Sequence, residues 1–223
     1  MKDFLKKSKA SLFDFLKIQE KTIDETLSNS VDSTRFVVLD TETTGFDYDN
    51  DRILCIGAIT LQNNVIAIPD SFEIYIHQDH YDKSSAQIHG ILKDWVMNKP
   101  SELEALQNFL AFLGDAIIIA HHTIFDVTMI NKALERNGLP VLKNKTLDTA
   151  YLYKKTLIMS NLLERKEHYA LDDLADKFDI SKKDRHTAMG DAYITAIAFL
   201  KIVKKLKDLK GKKEFTLRDL FKY

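Results

Sequence analysis

The run Phe36–Leu39 leads directly into two carboxylates, and this arrangement strongly limits what the chain can build. Consecutive apolar residues, rich in β-branched and aromatic side chains, are typical of a strand that is buried on both faces. Side chains alternate in direction along a strand, so Asp40 and Glu42 should share one face. Because neighbouring carboxylates repel each other, the pattern favours a divalent cation between them, and oxygen ligands suit Mg²⁺ or Mn²⁺ better than zinc. Gly45 should then allow a tight turn and the close approach of a substrate backbone.

A third acidic residue, Asp126, follows a second apolar run over residues 116–120. Apolar residues at helical spacing come after Asp126, which predicts that it lies at the start of a helix. The positive end of a helix favours the charged form of a carboxylate. His121 and His122 lie between the strand and the helix, but adjacent side chains should point apart there, so we do not expect them to form a zinc site.

The third segment contains His186 and Asp191. An apolar stripe predicts a long helix from about Thr187 to Leu209, with Asp191 in its first turns and His186 in the loop before it. Histidine titrates close to neutral pH, which suits a residue that accepts a proton during catalysis.

The order and spacing of these five residues resemble the DEDDh group of 3′→5′ exonucleases, which are DnaQ-like members of the ribonuclease H-like superfamily. The gap between His186 and Asp191 is longer than in the sister group that uses tyrosine, so the chain resembles the histidine type. The resemblance covers roughly residues 35–205. It implies an α/β fold, with a ribonuclease H-like mixed five-stranded sheet of three antiparallel strands and then parallel strands, flanked by helices.

The resemblance also implies a mechanism. Two Mg²⁺ or Mn²⁺ ions would lie around the scissile phosphate, and they would stabilise the attacking and leaving oxygens. His186 would take the proton of the attacking water, and the product would be a nucleoside 5′-monophosphate. The metal ligands would be Asp40, Glu42, Asp126 and Asp191.

Further positions would bind the terminal nucleotide, again by resemblance. His122 stands where the family usually has asparagine, and His89 and Ile91 would line the pocket for the terminal base. The segment around His89 is equally well explained as a helix end capped by Gly90. The complete set of substrate-binding positions is Thr43, Thr44, Gly45, His89, Ile91 and His122.

Three functions remain open from the sequence. The first is an exonuclease acting on single-stranded or 3′-terminal DNA, with a proofreading role and a DNA polymerase or sliding clamp as partner. The second is the same chemistry on RNA or short oligonucleotides, because the metal site reads the phosphate and not the sugar. The third is a non-catalytic scaffold subunit associated with a polymerase, although all five catalytic positions are filled.

The remaining features concern the organisation of the 223-residue chain. We expect an N-terminal helical extension and linker over residues 1–32, the exonuclease domain over 33–210, and a tail with a short helix over 211–223. The single cysteine, Cys55, lies in an apolar run and should be a core residue, which fits a cytoplasmic location. No apolar stretch is long enough to cross a membrane. In the tail, Asp219–Phe221 partly resembles peptides that dock on sliding clamps, but packing against the domain explains it as well.

Overall fold

A mixed five-stranded sheet lies at the centre of the protein, in the order β3-β2-β1-β4-β5. The structure is a computed structural model that describes residues 29–79, 83–91, 98–157, 167–211 and 215–222, so the predicted helices within residues 1–28 lie outside the described part. Strands β1 to β3 are antiparallel, and β4 and β5 run parallel to β1, which confirms the predicted fold. The strands are β1 (Phe36–Thr43), β2 (Ile53–Gln62), β3 (Val65–Tyr75), β4 (Ile117–Ala120) and β5 (Thr146–Asp148).

Two layers of helices cover the two faces of the sheet. Phe36 and Val38 pack into the core on one face, whereas Val37 and Leu39 pack into the core on the other. Helices α4 to α7 contribute to the first core, and α2 and α3 contribute to the second. The helices are α1 (Lys83–His89), α2 (Glu102–Leu113), α3 (Ile124–Arg136), α4 (Thr149–Lys155), α5 (Leu171–Phe178), α6 (Ala188–Lys210) and α7 (Leu217–Phe221).

The fifth strand was not recognised in the sequence. The pattern of residues 147–156 predicts a helix, but the structure has the short strand β5 followed by α4. Three residues are too few to show the alternation of a strand. Asp148 ends β5, and its Oδ1 accepts the hydrogen of the Tyr151 amide at 2.9 Å, so Asp148 caps the start of α4.

The two ends of the described chain pack side by side. The Val31 amide donates to the Phe215 carbonyl, and the Leu217 amide donates to the Asn29 carbonyl, both at 3.1 Å. Leu220 is buried in the first core, and the carboxylate of Asp219 accepts the Thr216 hydroxyl at 3.0 Å. The segment that partly resembles a clamp-docking peptide is therefore used in packing and helix capping. None of the described helices is long and apolar enough to span a membrane.

Candidate active site

Three carboxylates converge at one edge of the sheet. Asp40 and Glu42 lie on the face of β1 that is covered by α6, and Asp191 lies in the first turn of that helix. One oxygen from each of Asp40, Glu42 and Asp191 lies within 4.8 Å of the others. We call this group the carboxylate triad.

A glycine on β2 allows the start of α6 to approach the sheet. Gly57 is the register partner of Asp40. A Cβ atom at residue 57 would lie only 2.4 Å from the Met189 amide nitrogen and from the Ala188 carbonyl carbon. The missing side chain therefore lets the first turn of α6 lie directly against β2, beside Asp40, and so places Asp191 within the triad.

Replacing Gly57 should therefore separate the acids. In Gly57→Ala we expect α6 to shift, with a loss of about 1–3 kcal/mol in the free energy of unfolding from overpacking. We also expect a loss of activity per folded molecule that exceeds tenfold, because an ångström of displacement is costly in a catalytic group. Urea unfolding and steady-state kinetics would measure the two effects.

The matched control is Ile202→Val, which should destabilise the buried part of α6 by about 0.5–1.5 kcal/mol without moving its first turn. If Gly57→Ala lost stability but kept wild-type activity, the proposed packing requirement would be wrong.

Asp126 reaches the same edge from the opposite layer. It lies in the first turn of α3 and is only 3% exposed. Its Oδ1 accepts two hydrogens from Thr41, from the amide at 2.9 Å and from the hydroxyl at 2.7 Å. Thr41 points away from Asp40 and Glu42 because side chains alternate along β1. Asp126 is thus tied to β1 beside the triad but is not a member of it.

The pKa values of the four acids are all raised. Burial is the largest cause at each carboxyl, and it raises the pKa of Glu42 and of Asp126 to about 7. The pKa of Asp40 lies well above its usual range because of burial and then the charges of Asp126, Asp191 and Glu42. Burial also raises the pKa of Asp191. At Asp126 burial therefore outweighs the favourable helix end that the sequence suggests.

This donor set fits a hard divalent cation. The triad offers only carboxylate oxygens, which are the ligands that Mg²⁺ and Mn²⁺ prefer. A cation would also offset the burial of these charges and the repulsion at Asp40 and Glu42, both of which raise the pKa values. Among the described residues, no other group of three acidic, histidine or cysteine side chains has metal-ligand spacing.

Arg185 is a charged neighbour of the triad that sequence reasoning missed. Its guanidinium forms an ion pair with Asp191 and donates from Nε to Asp172 at 2.9 Å. The positive charge lowers the pKa of Asp40, Glu42 and Asp191, against the effect of burial. The signal in the sequence was a basic residue directly before His186, but nothing there indicated which acid it would meet.

His186 lies at the entrance of the site. Its side chain is exposed, and its φ angle of 64° places it in the left-handed region, which is uncommon for residues with a Cβ. Its amide donates to Asp191 Oδ1 at 3.3 Å. Thr187 caps α6 by accepting the Gly190 amide at 3.1 Å and donates its hydroxyl to the Asp184 carbonyl at 2.8 Å. The backbone of His186 is therefore attached to Asp191 while its ring is presented to solvent.

The segment after the first two acids forms a tight loop. The Thr43 hydroxyl donates to the Gly45 carbonyl at 2.7 Å, and the Thr44 hydroxyl donates to Asp51 at 2.6 Å. A Cβ atom at residue 45 would lie 2.4 Å from the Asp51 carboxylate, so Gly45 is required by the loop itself. The next residue, Phe46, is another feature that sequence reasoning missed: its ring is 80% exposed and lies 5.6 Å from that of Phe125.

His89 lies beside this loop at the end of α1. The ring is 7% exposed, Nδ1 accepts the Ile91 amide at 3.0 Å, and Nε2 is buried without a hydrogen-bond partner. Burial lowers the pKa of His89, and the Thr43 backbone opposes that shift. Gly90 ends α1 with a φ angle of 69°, as expected for a helix cap. Ile91 is buried against Leu54, Cys55 and Ala188.

The histidine pair after β4 is arranged differently from the sequence expectation. The rings of His121 and His122 contact each other edge-on, with centroids 4.4 Å apart, instead of pointing apart. The reason is the left-handed backbone of His122, with φ at 61°. His121 bonds to the Thr149 hydroxyl and the Tyr169 carbonyl, both at 2.9 Å. Burial lowers the pKa of His121 to about 4, so this ring is neutral near neutral pH.

The fold is that of the ribonuclease H-like exonucleases. A family model described as Exonuclease matches residues 37–199, and the chain belongs to this family, among the DnaQ-like 3′→5′ exonucleases. It is 35% identical to DNA polymerase III PolC-type from Caldanaerobacter subterraneus subsp. tengcongensis over 175 residues, which are 78% of this chain and 12% of that protein. It is 28% identical to DNA polymerase III subunit epsilon from Aquifex aeolicus, over 80% of this chain and 84% of the relative.

Solved structures show the same fold. E. coli exonuclease I in complex with a dT13 oligonucleotide superposes with a TM-score of 0.68 at 17% identity, over 80% of this chain and 43% of that chain. Cell-death related nuclease 4 superposes with a TM-score of 0.67 at 13% identity, over 83% of this chain and 67% of that chain. This chain therefore spans about an eighth of the PolC-type relatives and less than half of exonuclease I.

Proposed function

We propose that this protein is a DEDDh-type exonuclease that removes nucleotides from the 3′ end of DNA with two divalent metal ions and releases nucleoside 5′-monophosphates. The observation that carries this proposal is the carboxylate triad, with its three oxygens within 4.8 Å. Membership of the exonuclease family supports the reaction type. The names of the polymerase III relatives, and the oligonucleotide in the exonuclease I structure, favour DNA as the substrate and proofreading as the role.

Asp40, Glu42 and Asp191 would hold one ion, and Asp126 would help to hold the second, next to Asp40. When bound, Mg²⁺ or Mn²⁺ ions would stabilise charge on the phosphate and lower the pKa of the attacking water. The Thr41 hydrogen bonds leave Asp126 little freedom to move. The burial that raises the four pKa values would also exclude water around the scissile phosphate, where electrostatic interactions are stronger.

The loop after β1 would receive the terminal nucleotide. Thr43 and Gly45 would offer backbone groups, and Thr44 would hold the loop in shape because its hydroxyl is bonded to Asp51. The buried ring of His89 lies beside the Thr43 backbone, which suits a contact with the terminal nucleotide held by this loop. The exposed ring of Phe46 would provide a surface on which a base can stack.

His186 would accept the proton of the attacking water. Its exposed ring would swing over the triad when substrate is bound, while its amide stays close to Asp191. In His186→Ala we expect kcat to fall by about 10²–10⁴, with the acidic limb of its pH profile lost, because a general base of this kind contributes that much. The control is His77→Ala, another exposed histidine. Wild-type kcat with an unchanged pH profile in His186→Ala would remove His186 from the mechanism.

The direct test uses oligonucleotides labelled at the 5′ end. Single-stranded DNA, the matching RNA and a dinucleotide are each incubated with Mg²⁺ or with excess chelator. We expect a ladder that shortens from the 3′ end of DNA, nucleoside 5′-monophosphate as product, and no cleavage in chelator. Faster cleavage of RNA or of the dinucleotide would favour the second function, and no cleavage of any substrate would favour the non-catalytic scaffold.

Association with a DNA polymerase is the part of the proposal that rests on the relatives' names alone. A proofreading enzyme should remove a mismatched 3′ end from a primer–template faster than a matched one, because an unpaired end is easier to separate from its template. Equal rates on the two ends would argue against proofreading.

A further inference from the structure

A small pocket lies at the carboxyl ends of β4 and β5, outside the carboxylate triad, and shares His122 with the site described above. Its volume is about 160 Å³. Its walls combine aromatic rings with an ammonium group, and they include His122, Tyr151, Lys154, His168 and Tyr169. We call it the ring pocket.

The ring pocket is at the same edge of the sheet as the carboxylate triad. Strands β1, β4 and β5 are parallel neighbours, so their carboxyl ends lie side by side. With neighbouring strands about 4.8 Å apart, β5 lies roughly 10 Å from β1. The charge of Asp148, which lines the pocket, acts on the Asp126 carboxyl. A nucleic acid strand whose 3′ end lies at the triad can therefore reach the ring pocket with its next nucleotides.

Asp148 is the one carboxylate among the described residues that line the pocket, and its oxygens accept hydrogen bonds from the fold. Oδ2 of Asp148 accepts the Thr123 amide at 2.8 Å, and Oδ1 accepts the Tyr151 amide at 2.9 Å. These two bonds direct the acid toward backbone groups and disperse its charge. The Nζ atom of Lys155 lies 4.7 Å from the centroid of the Tyr151 ring, which adds a second positive charge close to the pocket.

The rings are presented for stacking. The side chains of Tyr151 and His168 are 48% and 79% exposed. The direction of the His122 ring is set by its left-handed backbone and by its edge-on contact with His121. His121 is itself held by Thr149 and Tyr169, so the ring that His122 contacts is fixed in place. Aromatic and histidine rings are the groups on which unpaired bases stack, and lysine is a common phosphate contact.

We propose that the ring pocket holds a nucleotide of the substrate strand on the 5′ side of the terminal one. Tyr151 and His168 stack against its base, and Lys154, which also donates from Nζ to the Glu167 carbonyl, contacts its phosphate. This inference rests on the proposed exonuclease function, and it assigns to α4 and the residues after Glu167 a share in strand binding. It also gives a role to the tyrosine and histidine rings around a pocket that contributes no acid to the carboxylate triad.

Two substrates separate the pocket from the chemistry. The p-nitrophenyl ester of thymidine 5′-monophosphate occupies only the terminal site, whereas a short oligothymidylate reaches further along the strand. In Tyr151→Ala and His168→Ala we expect KM for the oligothymidylate to rise about tenfold. Hydrolysis of the ester should stay at the wild-type rate. His168→Phe keeps a ring and should stay within about twofold of wild type on both substrates.

Binding is measured separately from cleavage, by fluorescence anisotropy of labelled oligothymidylate in chelator. The same two alanine variants should bind about tenfold more weakly. Tyr193→Ala, which removes an exposed tyrosine from α6, is the matched control and should bind as wild type does. Thermal melting of each variant shows whether it is folded.

The outcomes are distinct. Unchanged oligothymidylate binding in both alanine variants would overturn the inference. An equal loss of activity on the ester and on the oligothymidylate would also overturn it. If wild-type protein binds the oligothymidylate but cleaves neither substrate, the exonuclease proposal fails. In that case the ring pocket stands or falls on the anisotropy results alone.

Discussion

Asp40→Asn should abolish activity and at the same time make the metal-free protein more stable. Asp40 is the most strongly perturbed acid of the group, because its carboxyl is buried and lies close to three others. Removing its charge relieves the repulsion among the remaining acids. An increase of about 1 kcal/mol in the free energy of unfolding would raise Tm in chelator by about 2–4 °C at pH 8. The increase should become smaller as pH falls, because protonation of the wild-type carboxyl removes the same charge that asparagine removes.

The activity of the same variant should fall by at least about a thousandfold, which corresponds to about 4 kcal/mol of lost transition-state stabilisation. Asp70→Asn is the control, since Asp70 is an exposed acid on β3. It should change neither Tm nor the rate. Retention of more than a tenth of wild-type activity by Asp40→Asn would remove Asp40 from the metal site, whereas a lower Tm in chelator would contradict the electrostatic account.

The stability of the metal-free protein should decrease as pH rises through the range of these pKa values. Glu42 and Asp126 have folded-state pKa values of about 7, above those of ordinary carboxyls near 4. The folded state therefore binds more protons than the unfolded state between these values. It follows that their contribution to stability is fully present below about pH 4 and is lost as pH rises to about 7.

Mg²⁺ should reverse this loss. A ligand that binds only the folded state adds about 2.7 kcal/mol to the free energy of unfolding when its concentration is a hundred times its Kd. This gain should be larger at pH 8 than at pH 5, because protonated carboxyls bind metal poorly. His121 contributes with the opposite sign, since its lowered pKa makes stability rise with pH.

Urea unfolding of wild-type protein and Glu42→Gln across this pH range, with and without Mg²⁺, separates the contribution of Glu42 to stability from that of other titrating groups. The stability difference, wild type minus Glu42→Gln, should decrease as pH rises in chelator, and the decrease should be smaller in Mg²⁺. A difference that is independent of pH would show that the pKa of Glu42 is not raised in the folded protein.

Local patterns were sufficient to predict the elements that carry the acids. The apolar run before Asp40 and the helical spacing that follows Asp126 and Asp191 are signals within short windows. The structure brings Asp40, Glu42 and Asp191 together, as the resemblance implies. That these three residues bind metal stays a prediction.

Contacts between distant segments could not be predicted in this way. Nothing near Gly57 indicates that the start of α6 crosses it, and nothing near Thr41 indicates that its side chain and amide hold Asp126. The same is true of Arg185, whose partners lie on two helices. Strand β5 was missed because three residues are too few to show the alternation of a strand. The edge-on contact of the histidine pair was missed because the left-handed backbone of His122 changes the direction of its side chain.

The acids come from both helical layers, and this arrangement affects how the protein would lose activity on heating. Asp191 is delivered by the layer on one side of β1, and Asp126 by the layer on the other. Opening either layer, even briefly and with the sheet intact, removes a ligand. Heating should therefore inactivate the protein at a lower temperature than the one at which its circular dichroism changes, and saturating magnesium should bring the two temperatures together.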